Sequence, residues 1–464
     1  MMRMMLTDQE YTRILDFKRD LHMHPELSLQ EFRTTEKIRE ALSAIPGVEI
    51  LPFQAETGVV ARICGKLPGP ETMLRADIDA LPQTEQYENP WKSTVPGVMH
   101  ACGHDFHSAA LIGAALMLSR ANAEGNLKGT VYLLFQPAEE GTLGARLYID
   151  SGLFDLFHPD RCFGLHNWPA LPAGRIVIHE GALMSAKRNF TVRIHGFGGH
   201  GSMPHLNVDP IVCAAAVIQS LQTVISRNMN PLDAAILSVN MINGGSPVNL
   251  VVEEVELRAT VRSLSEQALS RALERTETII MKTAEAYECH AEIEWKERIP
   301  AVINTGEMCR LANEAAAQVI KNFCSAHEAT TTQVTNDFCS AHEATTAQVT
   351  NDFCSAHEAT TAQVTNDFCS AHEATTANDI NNVRSVTEDS SKYLVLKPRI
   401  TDAPPSLASE DFALYRCEVP SFYYWVGSNV EGDAVEELHR PRFHTDDRAM
   451  AVAASLYAES ALLP

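Results

Sequence analysis

The chain alternates short apolar runs with segments whose apolar residues recur every three or four positions. This spacing predicts a helix from about Asp8 to Leu21 and a second across Leu29 to Ala44, followed by an extended run from Gly58 to Ile63. MLRAD (Met73 to Asp77), TVYLLFQ (Thr130 to Gln136) and CFGLH (Cys162 to His166) read as strands, and a helix is expected across Ser108 to Ala121. Short apolar runs that end in polar residues and are separated by helices suit strands buried on both faces. The expected architecture is α/β, a mostly parallel sheet with helices on both faces.

From roughly Ser185 to Arg298 the pattern changes. FTVRIHGF alternates as a strand does, and Asp209 to Arg227 carries apolar residues at helical spacing. AILSVNMI and EEVELRATVRSL follow as strands, then a long helix from Ser265 to Tyr287 and a last strand, HAEIEWKERI. The order β-α-β-β-α-β is that of a ferredoxin-like α+β domain. It interrupts the first domain, because the strand and helix pattern resumes with SFYYWVG and a closing helix from Arg448 to Leu462. The expected division is 1–184, 185–298 and 299–464, the outer two segments forming one domain.

A tandem repeat sits in the third segment, at 323–379. FCSAHEATTTQVTND starts at Phe323 and recurs from Phe338, Phe353 and, truncated, Phe368. Few of its residues are large and apolar, so the expectation is a flexible or loosely helical excursion. Each unit carries a Cys-x-x-His, from Cys324/His327 to Cys369/His372, but the spacing fits no ordinary zinc site.

Charge narrows the functions. Lys plus Arg number 37 against 59 Asp plus Glu, a formal net charge of −22 that disfavours nucleic acid and anionic membrane surfaces. The first residues lack the apolar core and cleavage site of a signal peptide, and the reading finds no apolar stretch of membrane-spanning length. A cytoplasmic protein with free thiols is expected.

The candidate chemistry gathers where predicted strands end, as ligands do in open α/β sheets. Asp77 and Asp79 follow the first such strand, and MHACGHDFHSA offers Cys102, His104, Asp105 and His107 at a helix start. Glu139-Glu140 follow TVYLLFQP, His166 ends CFGLH, and VEELHRPRFHTDD adds His439 and His444. Alone, each of these is ordinary: a Glu pair is usually a solvated face, and Asp-x-Asp can cap a helix. Together they offer imidazole, thiolate and carboxylate donors for divalent transition metals. One glutamate of the pair can bind metal while its neighbour stays free to take a proton, which hydrolysis of an unactivated amide requires.

At these residues the chain resembles the hippurate hydrolase and auxin-conjugate amidohydrolase branch of the aminoacylase and carboxypeptidase metallohydrolases. The resemblance is carried by DLHMHPELSLQEFRT, RADIDALP, PGVMHACGHDFHSAALIGAA, LLFQPAEEG, GLHNWP, GGHGSMPH, LASEDF and LHRPRF. It implies two divalent metal ions per subunit (Mn or Zn, with Co or Ni as alternatives), bridged by Cys102 and completed by His104, Glu140, His166 and His439. Glu139 would be the general base, Asp79 a carboxylate orienting a metal-site group, and His200 an oxyanion donor reaching into a partner subunit's site. Asn249 and Arg262 would contact the substrate. The 185–298 insert would be the lid and dimerisation domain, and the remainder the catalytic domain. His444 falls where relatives carry Asp and is left out of the metal set, and Phe197 stands where the family commonly has Lys.

The function implied is metal-dependent hydrolysis of small N-acyl amino acids (hippurate, N-acetyl or auxin-like conjugates) by a cytoplasmic homodimer. The alternatives are a dipeptidase or carboxypeptidase of the same family, a non-catalytic metal-binding relative, and an interaction protein that displays the repeats.

Overall fold

In the central strands successive side chains face opposite sides, so each strand feeds two apolar layers. Leu74, Ala76, Leu133, Phe135, Phe163, Leu165, Phe422 and Tyr424 enter one layer. There they meet helices Asp8–Met23, Phe32–Ser43, His104–Ala123 and Ala449–Leu462 and the helical residues 306–326. Their neighbours Met73, Leu134, Cys162, Tyr423 and Trp425 enter the other, against Tyr148, Leu153, Phe412 and Tyr415. The computed structural model describes residues 4–141, 144–245, 247–326 and 396–464.

Eight strands form the main sheet, in the order Val48–Ile50, Val59–Cys64, Lys128–Gln136, Leu67–Asp77, Arg161–Pro172, Ser421–Asn429, Arg175–Val177, Arg399–Thr401. The four central strands, from Lys128–Gln136 to Ser421–Asn429, run parallel. This is the expected α/β architecture with helices on both faces. Helix His104–Ala123 begins a turn earlier than the periodicity suggested, because buried partners take up the polar side chains of its first turn. The strand expected to stop at His166 continues to Pro172. The strand Leu67–Asp77, however, pairs with it only as far as Gly164, so His166 still projects beyond its neighbour's end.

The inserted segment has its own sheet, in the order Ala235–Asn243, Glu254–Ser263, Ala186–His195, His290–Ile299, antiparallel throughout. Helices Pro210–Asn228 and Glu266–Ala286 are capped by Asp209 and Ser265, and with that sheet they enclose a separate apolar cluster. This is the ferredoxin-like arrangement. One correction concerns membranes: Pro210–Asn228 is long and apolar enough to cross one by length and composition. In the fold it buries Cys213, Ala214, Val217, Leu221 and Val224 within its own domain.

The repeat needs a second correction. Phe323 and Ala326, assigned to its first unit, lie in the main core at the end of helix 306–326. The rest of the repeat, with its Cys-x-x-His pairs, lies outside the described residues.

Candidate metal centre

Three backbone features hold the donors in place. Gly103 has φ +87, and a Cβ there would meet Asn167 Oδ1 at 2.2 Å, so only glycine allows the turn that joins Cys102 to His104. Ala138 adopts a left-handed φ of 56° just before Glu139-Glu140, and its N–H donates to Glu31 Oε1 at 2.9 Å. His439 is also left-handed, with φ 61°, and its N–H donates to Ala101 O at 2.8 Å. Left-handed non-glycine residues persist only where their surroundings enforce them.

The donors converge on Cys102. His166 Nδ1 donates to the Asn167 carbonyl at 2.6 Å, which leaves Nε2 facing the Cys102 sulfur at 3.3 Å. His104 Nδ1 donates to Asp79 Oδ1 at 3.1 Å, and its buried Nε2 has no hydrogen-bond partner among the described residues. His439 Nε2 lies 3.1 Å from Glu140 Oε1. Potential ligand atoms of Cys102, His104 and His166 lie within 4.8 Å of one another, as do those of Cys102, Glu140 and His439. Cys102 thus belongs to two adjoining donor triads.

His107 and Asp105, also candidates from their spacing, are engaged elsewhere. His107 Nδ1 donates to Asp77 at 2.5 Å and its Nε2 accepts from the Asn167 amide at 2.9 Å. Asp105 pairs with His22 Nδ1 at 2.8 Å. His444 stacks on Tyr87 and hydrogen-bonds the Arg442 carbonyl, in a different cavity.

Electrostatics favour cations here. Burial and the charges of Glu140 and Glu139 push the Cys102 thiol well up, so a thiolate there needs positive charge beside it. Burial and the neighbouring His107 hold His166 well below the usual histidine range, in the neutral form that binds metals. An orphaned imidazole nitrogen, a neutral imidazole and a thiol between carboxylates fit a pair of divalent cations. Glu139 is buried, and burial with the charges of Glu410, Glu140 and Asp411 raises its carboxyl well above the usual range. Its Oε1 accepts the Asp411 N–H at 3.3 Å.

A cavity of about 200 Å³ opens onto this cluster, lined in part by Cys102, Glu139, Glu140, His166, His439 and Arg262. His200 and Asn249 stand outside it in the single chain. His200 is exposed, with its ring turned to Ser202 at 2.9 Å, and the Asn249 carbonyl accepts from the Gly201 amide. Lys187, Ser409 and Glu410, which are not among the sequence candidates, line the same cavity. Arg75, likewise not among them, is fully buried among Asp77, Glu410 and Asp411 below the site. The quoted LASEDF contains Ser409, Glu410 and Asp411 and was the available signal for them, whereas nothing in the sequence pattern marks Lys187.

The model of peptidase family M20/M25/M40 matches residues 73–462. N-acetylcysteine deacetylase of Bacillus subtilis is 35% identical over 98% of this chain and 97% of its own. N-acetyldiaminopimelate deacetylase of Anoxybacillus flavithermus is 36% identical over 62% of this chain and 76% of its own. The crystal structure of the Bacillus subtilis protein YXEP, a dinuclear metal-binding peptidase of the M20 family, superposes with a TM-score of 0.70 at 32% identity, covering 98% of both chains. With these likenesses and the paired donor triads, the chain belongs to peptidase family M20/M25/M40 and is a metal-dependent amide hydrolase.

Proposed function

We propose that the protein hydrolyses the amide bond of small N-acyl amino acids, releasing the acyl carboxylate and the free amino acid. The observation that carries this reading is the position of Glu139: its carboxylate lies within 4.8 Å of ligand atoms of His104 and Glu140, one from each Cys102 triad, and lines the same cavity. Relatives named as deacetylases of N-acetylcysteine and N-acetyldiaminopimelate support a short acyl group, acetyl before benzoyl or an auxin-like acid.

Cys102, His104 and His166 would hold one cation, and Cys102, Glu140 and His439 the other, with Mn or Zn the metals of choice. When bound, the cations polarise the scissile carbonyl and make water a nucleophile at neutral pH. Glu139 takes the proton of the attacking water on a carboxylate oxygen and returns it to the leaving nitrogen. Arg262 stands on the cavity wall to receive the substrate carboxylate.

A second copy of the chain completes this reading. Phe197, Leu206, Val248 and Leu250 are exposed on the inserted domain, around His200. Such an apolar patch suits a homodimer interface that carries His200 to the partner's cavity.

The test is metal content per subunit together with release of amino acid from N-acetyl and N-benzoyl amino acids and dipeptides, with added Mn or Zn. Metal-dependent release from acyl amino acids is expected, and exclusive cleavage of dipeptides would replace the reading. Glu139→Ala should lower kcat by about 10²–10⁴-fold with metal content retained; metal loss in that variant would make Glu139 a ligand instead of the base.

A further inference from the structure

Two cations stand side by side on the cavity wall that faces the donor triads. Lys187 and Arg262 are directly opposed in the antiparallel pairing of strands Ala186–His195 and Glu254–Ser263. Their side chains therefore leave the sheet on one face, with Cβ atoms about 5 Å apart. Both line the cavity that contains Glu139.

Like charges set opposite each other weaken a sheet, and burying a lysine adds a desolvation cost. Lys187 is only 9% exposed, and among the described residues neither a hydrogen bond nor an ion pair engages its ammonium. Burial pulls its pKa below the usual lysine range, with Glu139 opposing and Arg262 adding to the shift. Arg262 uses Nη1 on the Leu407 carbonyl at 3.1 Å, which anchors the side chain and leaves other guanidinium donors for a ligand. On the same wall the buried Ser409 hydroxyl has no hydrogen-bond partner among the described residues. Lys187, Arg262 and Ser409 all offer donors here, and carboxylate oxygens are the ligand chemistry that satisfies them.

We propose that Lys187 and Arg262 form a clamp for two carboxylates, so that the amino-acid half of the preferred substrate is acidic, as in an N-acyl aspartate or glutamate. The assignment rests on amide hydrolysis at the adjoining centre and narrows its substrate class. The two carboxyl carbons of aspartate or glutamate are three or four bonds apart, about 4–5 Å when extended, which matches the cross-strand separation. A substrate with one carboxylate would satisfy one cation and leave the other facing only the more distant carboxylates of the cavity, Glu139 first, at a cost in affinity.

The test uses the metal-loaded full-length chain with N-acetylglutamate, N-acetylaspartate and their single-carboxylate analogues N-acetylglutamine and N-acetylasparagine. The wild type should favour each acid over its amide by about ten-fold or more in kcat/KM. Lys187→Met should shrink that ratio by about ten-fold, chiefly through KM, and Lys187→Arg should largely keep it. Equal rates on acid and amide in the wild type, or an equal loss on both in Lys187→Met, would overturn the clamp. If none of the four is hydrolysed, amide hydrolysis of N-acyl amino acids is the reading that fails. Calorimetric binding of N-acetylglutamate and N-acetylglutamine to the metal-loaded protein then decides the clamp by itself: preference for the acid upholds it, and equal affinity removes it.

Discussion

The two oxygens of Asp79 accept four hydrogen bonds, from the Ser28 hydroxyl, the His104 ring and the amides of Glu139 and Glu140. Burial alone would raise its pKa, but the His104 hydrogen bond and charge outweigh it and keep Asp79 ionised. Asp79→Ala should therefore lower metal affinity by about 10–100-fold, measured by competition with a chelator; unchanged affinity would remove the orienting role. His22 supports a separate prediction. Burial opposes its charge, but hydrogen bonds to Asp105 and Glu85 raise its pKa to about 9. With the folded pKa above the unfolded one, the stabilisation is complete below pH about 6.5 and is lost as pH rises through 9. The stability advantage of the wild type over His22→Gln should shrink by on the order of 3 kcal/mol between pH 6 and 10 in urea unfolding. At this scale the cysteine, histidines and glutamates stand out in the sequence as candidate donors, because such residues are rare beside apolar strand ends. The fold brings Cys102, His104, Glu139, Glu140, His166 and His439 together. Lys187 does not stand out in the sequence, since a lysine at an alternating strand position looks like any solvated one. Its burial depends on packing between the inserted domain and the donor loops, which no local pattern records.

Helix 306–326 shows how an element can mislead when composition is read alone. Phe323 opens the tandem repeat, yet its ring is 1% exposed in the main core, and the adjacent Asn322 donates to Glu459 Oε1 at 2.8 Å. The repeat boundary in the sequence thus falls inside a folded helix. Phe323→Ala should cost about 3–5 kcal/mol, the range for emptying a buried phenylalanine site, whereas Cys324→Ala at its exposed neighbour should stay within about 0.5 kcal/mol. Urea unfolding of the two variants checks this, and equal effects would place Phe323 outside the core. The long helices expected from the periodicity match to within a turn, whereas helix 306–326 was not anticipated. Strands Leu67–Asp77 and Arg161–Pro172 each run six residues beyond the expected apolar run. The three-residue strands Val48–Ile50, Arg175–Val177 and Arg399–Thr401 were not legible, because alternation needs more residues to register. The left-handed Ala138 and His439 escaped for a different reason: their conformations are enforced by Glu31 and Ala101, contacts distant in sequence.

For the molecule as a whole, His200 stands apart from the cavity that holds the chemistry. Its ring is turned to Ser202 on the exposed face of the inserted domain, amid Phe197, Leu206 and Leu250, while Glu139 is buried in the other domain. If His200 serves the partner's site, each cavity draws Glu139 from one subunit and His200 from the other. His200→Ala should then lower kcat by about 10²–10³-fold, as loss of an oxyanion donor does, and Glu139→Gln should be inactive for its own reason. Co-expressed in equal amounts, the two variants form mixed dimers in which one site has both residues intact and the other has neither. Such a mixture should recover about a quarter of wild-type activity, since half the dimers are mixed and each carries one working site. If His200 served its own chain, every site in the mixture would lack one residue and no activity would return. The recovered fraction therefore decides between trans and cis action without disturbing the interface, which substitutions at Phe197 or Leu250 would do.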